Sequence, residues 1–416
     1  MDDSNYRIGI DVGGTFTDIV AVSDKGTVIF SKAPSTPADP SIGVMDAIAR
    51  LSHELRTESA VLLSKTERIV HGTTVATNAL LERKGAKTGL LTTIGHRDVL
   101  EMREGLKDDR YNMRLAAPET LVPRYLRLGV KERIRPDGSI HVPLDNDSLD
   151  AAIEKLKEAD VTSIAVCYLH AYKESKHEKE TRARIESKLP GVSVSLSSEV
   201  FPEIKEYERV STTVVNAYVR PVVEKYLRKL GDRLRETGYQ GPVLIILSHG
   251  GVAPIDEAVR LAAGTVLSGP AGGVAGSRYG SSLIGAENLV PFDMGGTSTD
   301  ISMIVNGEPA LSSTRGIAGQ RVALQSLDIV SIASGGGSIA RVDNGGILRV
   351  GPESAGAVPG PACYGKGGVE VAVTDASVVL GFLDPNNFLG GRESLDKEAA
   401  EVAVDKLASK LSVGRA

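Results

Sequence analysis

Apolar and polar positions alternate through "YRIGIDV" (Tyr6–Val12) and again through "FTDIVAVS" (Phe16–Ser23). That is the period of strands with one buried face. Gly13 and Gly14 turn between them, and "GTVIFSKAPS" adds a third strand after the Lys25-Gly26 turn, so the chain opens as a meander with a glycine-rich first hairpin. The period then lengthens: Ile42, Val44, Ile48 and Leu51 predict a helix from about Ser41 to Arg56. "RIVHGTT" reads as a strand, "VATNALLERK" as a helix closed by Gly85 in the left-handed cap position, and "KTGLLTT" as a strand. Together they predict a βαβ unit. The stretch Asp108–Asp145 is rich in Arg and Pro and reads as an excursion. Helix (Ser148–Glu158), strand (Ser163–Leu169), helix (Lys176–Leu189) and strand (Val192–Ser197) follow.

A long amphipathic pattern from Tyr207 to Glu236, interrupted by Pro221, leads into "PVLIILSHGG". A domain boundary is expected just before it, near residue 200, giving domains 1–200 and 201–416. The second half begins with a strand, a loop "SGPAGG" (Ser268–Gly273) and a helix. Then "FDMGGTSTDIS" repeats the pattern D-x-G-G-T-x-T-D-I of "IDVGGTFTDIV", with Asp293 standing where Asp11 stood, and a second turn follows at Asn306-Gly307.

A single Gly-Gly-Thr hairpin is most often a plain turn. Two copies sharing the Asp before the glycines and the T-x-T-D after them exceed what a turn requires. Paired glycines permit left-handed backbone and let a ligand approach the main chain, where successive N–H groups form a nest for phosphate oxygens. On this reading Gly13, Gly14, Gly295 and Gly296 hold phosphate, and Thr15, Thr17, Thr297 and Thr299 add hydroxyls. A carboxylate beside a polyphosphate needs an intervening cation, so Asp11 and Asp293 are the expected Mg²⁺-handling residues, acting through water.

Composition narrows the partners. The 416 residues carry a net charge of -5, with 41% hydrophobic and 24% charged residues, the balance of a soluble protein without a basic surface for nucleic acid. The apolar runs are too short to span a membrane. The start, "MDDSNYRIGID", lacks the basic and apolar regions of a signal peptide. Cys167 and Cys363 are the two cysteines, which argues against a disulfide framework or a zinc site and for a reducing cytoplasm. The 45 glycines cluster in short loops, a use suited to backbone binding.

These residues resemble the superfamily of sugar kinases, heat-shock ATPases and actin. Within it they are most similar to the A subunit of ATP-dependent hydantoinases and 5-oxoprolinases, together with the related subunits of acetone and acetophenone carboxylases. The resemblance rests on "GIDVGGTFTDIV", "HGTTVATNALLERKGAKTGLLTT", "EYERVSTTVVNAYVRP", "LSGPAGGVAGS", "FDMGGTSTDIS", "SGGGSIARVDNGGILRVGPESAGAVPGPACYGKGG" and "VTDASVVLGFL", spread over nearly the whole chain. It implies an α/β fold of two ribonuclease H-like domains of the actin-like ATPase type facing a nucleotide cleft. The chain ends at "KLSVGRA", so the family's C-terminal part is expected to be lacking. It implies ATP and Mg²⁺, with catalytic roles for Asp11 and Asp293. Adenosine would fall to the "SGGGS" loop with Gly335 and Gly336. The implied activity is a cyclic amidohydrolase that phosphorylates an amide carbonyl before ring opening, working beside a hydantoinase B-type subunit in an oligomer. A ketone carboxylase is the second reading, so the expected substrate is a small cyclic amide or ketone. A nucleotide-dependent conformational partner without substrate chemistry is the third.

Other residues keep two readings. His71 either fixes a helix entry from the interior or reaches substrate. His249 stands at a strand end, where open α/β sheets bind ligands. His170 and His177 read as structural or exposed. Asp18 and Asp300 are expected to orient the hairpins through turn amides, and Asp375 to cap a helix. Gly272 and Gly273 serve either anion approach or tight packing. Cys363 acts as a nucleophile only beside an activating base.

Overall fold

The computed structural model describes residues 4–14, 16–105, 111–116, 119–356, 358–388, 391 and 393–414. The chain divides into two compact units: Met1–Gly272 with Leu311–Leu327, and Gly273–Ala310 with Asp328–Ala416.

In the first unit, β1 (Tyr6–Val12), β2 (Phe16–Ser23) and β3 (Val28–Pro34) form the expected antiparallel meander. Ile8, Ile10 and Val12 point into the core and Arg7 and Asp11 outward, as the alternation requires. Asp39 accepts from the Ser41 N–H to start α1 (Pro40–Glu54), which buries Val44, Ala47, Ile48 and Leu51 against β2 and β3. β4 (Thr66–Thr73) runs parallel to β1, and α2 (Val75–Leu81) follows.

The chain then leaves to build a second sheet. β5 (Thr88–Thr93), β6 (Arg127–Val130), β7 (Ser163–Cys167) and β8 (Ser193–Leu196) are all parallel, in the order β8-β7-β5-β6. α3 (Asn146–Glu158) and α4 (Lys176–Lys188) make its crossovers. β5 and β7 are buried at every position, as strands covered on both faces must be. α5 (Glu206–Glu236) runs unbroken through Pro221 and packs on β5, β7 and β8 as well as on α1 and α2. β9 (Val243–Ile246) then returns to pair parallel with β4, and β10 (Val252–Pro254) closes the sheet as β10-β9-β4-β1-β2-β3. A three-strand meander continued by parallel strands is the ribonuclease H-like arrangement.

The sequence pattern predicts a boundary near residue 200. The compact units divide at Gly272/Gly273: β9 completes the first sheet, and α5 packs on the second sheet and on the helices α1 and α2. The predicted loop at Ser268–Gly273 is the opening of α6 (Ser268–Ile284). Gly85 has no left-handed backbone; Arg83 takes it, at φ 56°. A Cβ on Gly85 would lie 2.1 Å from the Tyr218 ring, so this glycine gives room for an aromatic side chain of α5.

The second unit repeats the meander as β11 (Phe292–Met294), β12 (Thr299–Ser302) and β13 (Ile329–Ile332). The Asn306-Gly307 turn, both residues at positive φ, joins only a short ladder of Ile304–Val305 with Glu308–Pro309. The strand that pairs with β12 comes later, after an excursion. A hairpin of β14 (Ser338–Val342) and β15 (Leu348–Ser354) follows, then α7 (Val373–Val379) and α8 (Lys397–Lys410). Cys363, Val378, Leu395 and Ala400 form a small core beneath these helices.

Candidate functional site

Strand pairing places the two copies of the repeated motif in the same register. Asp11 faces Asp18 and Val12 faces Thr17 across the first hairpin; Asp293 faces Asp300 and Met294 faces Thr299 across the second. Each tip is closed by the same backbone bond, Gly13 N–H to the Phe16 carbonyl and Gly295 N–H to the Ser298 carbonyl, both 2.9 Å. None of the four tip glycines has left-handed backbone, so conformational freedom is not their use here. A Cβ on Gly14 or Gly296 would meet nothing within 4 Å, so the tip backbone stands bare at these positions. Neither of their N–H groups has a backbone partner among the described residues.

The threonines divide into two kinds. Thr17 is fully buried, and its hydroxyl lies 3.2 Å from Ser35 Oγ, which donates to the Gly13 carbonyl at 2.8 Å. Thr299 is likewise buried and donates to the Ser334 carbonyl. These two hydroxyls brace the tips from beneath. Thr297 is exposed, and Thr15 lies outside the described residues.

Asp11 and Asp293 are both exposed on their strands. Asp11 Oδ1 would be 3.0 Å from a Cβ on Gly72 and 3.5 Å from one on Gly269, so two glycines leave room around its carboxylate. Asp18 and Asp300, expected on turn amides, instead bond cross-strand neighbours: Asp18 pairs with Lys32 at 2.8 Å and Asp300 accepts from Ser331. Among the described residues no three His, Cys, Asp or Glu side chains stand together as a metal cage. The donors present suit a cation held by one or two carboxylates with waters and phosphate oxygens, which is how Mg²⁺ is usually bound.

The "SGGGS" loop backs the second hairpin. Gly336 N–H donates to the Gly295 carbonyl at 2.9 Å and Gly337 N–H to the Gly296 carbonyl at 2.7 Å, while Gly335 N–H is taken by Ser338 Oγ at 2.8 Å. A Cβ on Gly335 would lie 2.7 Å from Gly295 O, Gly296 C and Thr297 N, so only glycine permits this approach.

His71 is fully buried, with Nε2 2.8 Å from the Tyr226 hydroxyl and Nδ1 3.4 Å from the Ile10 carbonyl. Burial pushes its pKa down to about 4, against a weak opposing bond to Ile10. It is a neutral interior histidine. His249 is exposed, and its Nδ1 accepts from the Gly251 N–H at 3.1 Å. Asp375 sits in the first turn of α7 and accepts from the N–H groups of Ala362, Cys363 and Ala372 at 3.2, 2.7 and 2.8 Å. Burial first, and Asp375 second, push the Cys363 thiol up, the opposite of activation.

Several polar residues prove to be interior stitching, among them His177, which reads from sequence as structural or exposed. Asn216 of α5 bonds Ser195, the Arg260 carbonyl and the Ala263 N–H. Arg209 donates to the carbonyls of Tyr168 and Glu203. His177 lies buried 2.8 Å from Glu132, which also accepts from Thr93. These pairs join elements far apart in sequence.

Comparison with known proteins identifies the family. The hydantoinase/oxoprolinase N-terminal region profile matches residues 7–189, and the hydantoinase/oxoprolinase profile matches residues 209–415. The chain is 40% identical over 414 residues to the caprolactamase subunit alpha of Pseudomonas jessenii, covering 99% of this chain and 59% of that one. It is 38% identical over 427 residues to the acetophenone carboxylase gamma subunit of Aromatoleum aromaticum, covering 99% and 58%. The crystal structure of the ATP-dependent caprolactamase from Pseudomonas jessenii superposes with a TM-score of 0.85 at 39% identity, over 99% of this chain and 60% of that chain. Nucleotide-free acetone carboxylase superposes with a TM-score of 0.81 at 30% identity, over 99% and 60%. The chain thus spans about 60% of the length of these relatives. Two profiles of one family, end to end along the chain, give a plain conclusion: the protein belongs to the hydantoinase/oxoprolinase family.

Proposed function

We propose that this chain is the ATP-handling A-type part of an ATP-dependent cyclic amidohydrolase. The observation that carries the proposal is the duplicated hairpin: the same register, the same tip bond and the same bare second glycine in both units. Each tip offers N–H groups to phosphate oxygens at Gly14 and Gly296, with the Thr297 hydroxyl beside the second. Asp11 in the first unit and Asp293 in the second would each meet Mg²⁺ through water, and a cation so held would screen phosphate charge. One of the two carboxylates also serves as general base.

The chemistry follows from the weakness of an amide as an electrophile. Transfer of the γ-phosphoryl group of ATP to a lactam carbonyl oxygen turns that oxygen into part of a leaving group. Water then adds to the carbon, the ring C–N bond breaks as the nitrogen leaves with a proton, and a second water hydrolyses the resulting acyl phosphate to carboxylate and inorganic phosphate. The relationship to an ATP-dependent caprolactamase supports a cyclic amide as substrate. The relationship to acetone and acetophenone carboxylases favours the second reading, a ketone oxygen phosphorylated for carboxylation. Relatives named as alpha and gamma subunits support a partner subunit of the B type.

The test is ATP turnover by the chain, alone and with a B-type subunit, in Mg²⁺ with caprolactam, 5-oxoproline, hydantoin or acetone. Lactam-stimulated phosphate release supports the amidohydrolase, and stimulation by acetone alone supports the carboxylase. Asp11→Asn and Asp293→Asn should each lower turnover by about a hundredfold or more. Full activity in both variants would remove the basis of the phosphate-site assignment.

A further inference from the structure

Behind the first hairpin lies a pocket of about 400 Å³, within the range of small-ligand sites. It is walled by the hairpin backbone at Val12–Gly14, the loop at residues 35–40, the start of α2 and the middle of α5. Val12 and Asp11 are neighbours on a strand and project to opposite faces. The pocket therefore opens on the face away from the Asp11 carboxylate, which lies against Gly72 and Gly269. It shares the Gly13 and Gly14 backbone with the hairpin proposed for phosphate, but Lys225, its cationic side chain without a partner among the described residues, has no part in that assignment.

The charges lining this pocket do not cancel. Asp39 stands 2.6 Å from Lys229 and 3.0 Å from Arg233, and Glu82 stands 2.7 Å from Lys84. Asp39 is held below the usual carboxylate range: burial opposes the shift, but the bond to Lys229, the Ser41 hydroxyl and the charges of Lys229 and Arg233 outweigh it. Both carboxylates are thus already matched by cations. The Lys225 ammonium also lines the pocket and has no partner among the described residues. The other wall is apolar, with Val75, Ala79, Val222 and Pro37.

From this arrangement we infer that the pocket binds a small organic anion. Its single carboxylate is received by Lys225 and its short apolar body lies along the Val75–Val222 wall. A charge-assisted bond fixes the head, and exclusion of water from the aliphatic wall holds the tail. The Asn78 amide gives one N–H to Thr74 Oγ1 and has a second N–H at hand for the other carboxylate oxygen.

Isothermal titration of the full chain with butyrate, without nucleotide, tests the inference independently of the proposed activity. Butanol carries the same body without the charge, and butylamine carries it with the opposite charge. Saturable butyrate binding is expected in the millimolar range or tighter, with both controls at least tenfold weaker. Lys225→Gln should weaken butyrate about tenfold, and Lys225→Arg should restore most of it. Lys225 is exposed on its helix, so far-UV circular dichroism of these variants should match the parent. Absence of saturable butyrate binding, equal binding of butanol or butylamine, or an unchanged affinity in Lys225→Gln would each overturn it.

Discussion

The Tyr226 hydroxyl lies 2.8 Å from His71 Nε2, two buried side chains joined across 155 positions of sequence. The ring's other nitrogen faces the Ile10 carbonyl, so the arrangement suits a neutral imidazole that donates at Nδ1 and accepts at Nε2. Burial raises the Tyr226 pKa and keeps its proton in place as the donor. The unfolded chain binds a proton at His71 below its ordinary pKa of 6.5, whereas the folded chain binds it only below about 4. Stability tied to this group is therefore complete above pH 6.5 and is lost as pH falls from 6.5 towards 4, by about 3 kcal/mol in total. Urea unfolding at intervals across that window should show the loss, and His71→Gln should flatten the slope by one proton. An unchanged slope would mean that His71 titrates freely. Tyr226→Phe, which strands the Nε2 acceptor, should cost about 1–3 kcal/mol at pH 7.

Glycines of one type in the sequence do two different jobs, and alanine separates them. At Gly85 a methyl group would collide with the Tyr218 ring, and overpacking of this kind costs about 1–3 kcal/mol. At Gly14 and Gly296 a methyl group meets nothing, so Gly14→Ala and Gly296→Ala should leave the unfolding midpoint nearly unchanged. If phosphate rests on the bare backbone there, the same two changes should raise the KM for ATP by about tenfold or more. Thermal melts and ATP titrations on the three variants measure both effects. A neutral Gly85→Ala, or Gly14→Ala and Gly296→Ala that bind ATP normally, would contradict the assignments.

Much of this division was hidden from sequence because its causes are distant. The hairpins were legible: D-x-G-G-T-x-T-D-I fixes strand, tip and return within a few residues, and both copies fold in one register. Gly85 was misread because its neighbour, Tyr218, arrives from another helix. The Asn306-Gly307 turn correctly announced a hairpin, but the third strand of the second sheet is Ile329–Ile332, and nothing local distinguishes it from other short apolar runs. Val243–Ile246 joins Thr66–Thr73 by parallel pairing across the whole second sheet's length of chain, a partnership no local pattern announces. Thr17 and Thr299 read from sequence as adding hydroxyls to phosphate, like Thr15 and Thr297, whereas in the structure both are buried, with Thr17 beside Ser35 Oγ and Thr299 bonded to the Ser334 carbonyl.

Asp375 should prove structural. Its carboxylate receives the N–H groups of Ala362, Cys363 and Ala372. Asparagine keeps one acceptor oxygen and presents an NH₂ where an acceptor is needed, so Asp375→Asn should cost about 3 kcal/mol in the second unit. Hydrogen exchange at those three amides should accelerate in the variant, and unchanged protection would show the bonds to be dispensable. Cys363 and Cys167 are both buried, with thiol pKa values pushed up by burial first. Native protein at pH 8 should therefore resist iodoacetamide at both sites until urea is added. Rapid native alkylation of Cys363 would restore it as a candidate nucleophile.

The Gly335 approach to the second hairpin distinguishes two uses of the "SGGGS" loop. Its Cβ would press on Gly295, Gly296 and Thr297, and the N–H groups of Gly335–Gly337 are already bonded within the unit. A loop that supports the hairpin acts on phosphate geometry and is blind to the base. A loop that holds adenosine acts on the base. Gly335→Ala should therefore raise the apparent Kd for ATP, GTP and tripolyphosphate by a similar factor, about tenfold, because the displaced tip is common to all three. Competition binding with the three ligands decides the matter. If the loss is confined to ATP, Gly335 and Gly336 belong to the adenosine site, and the hairpin support seen in their hydrogen bonds is secondary.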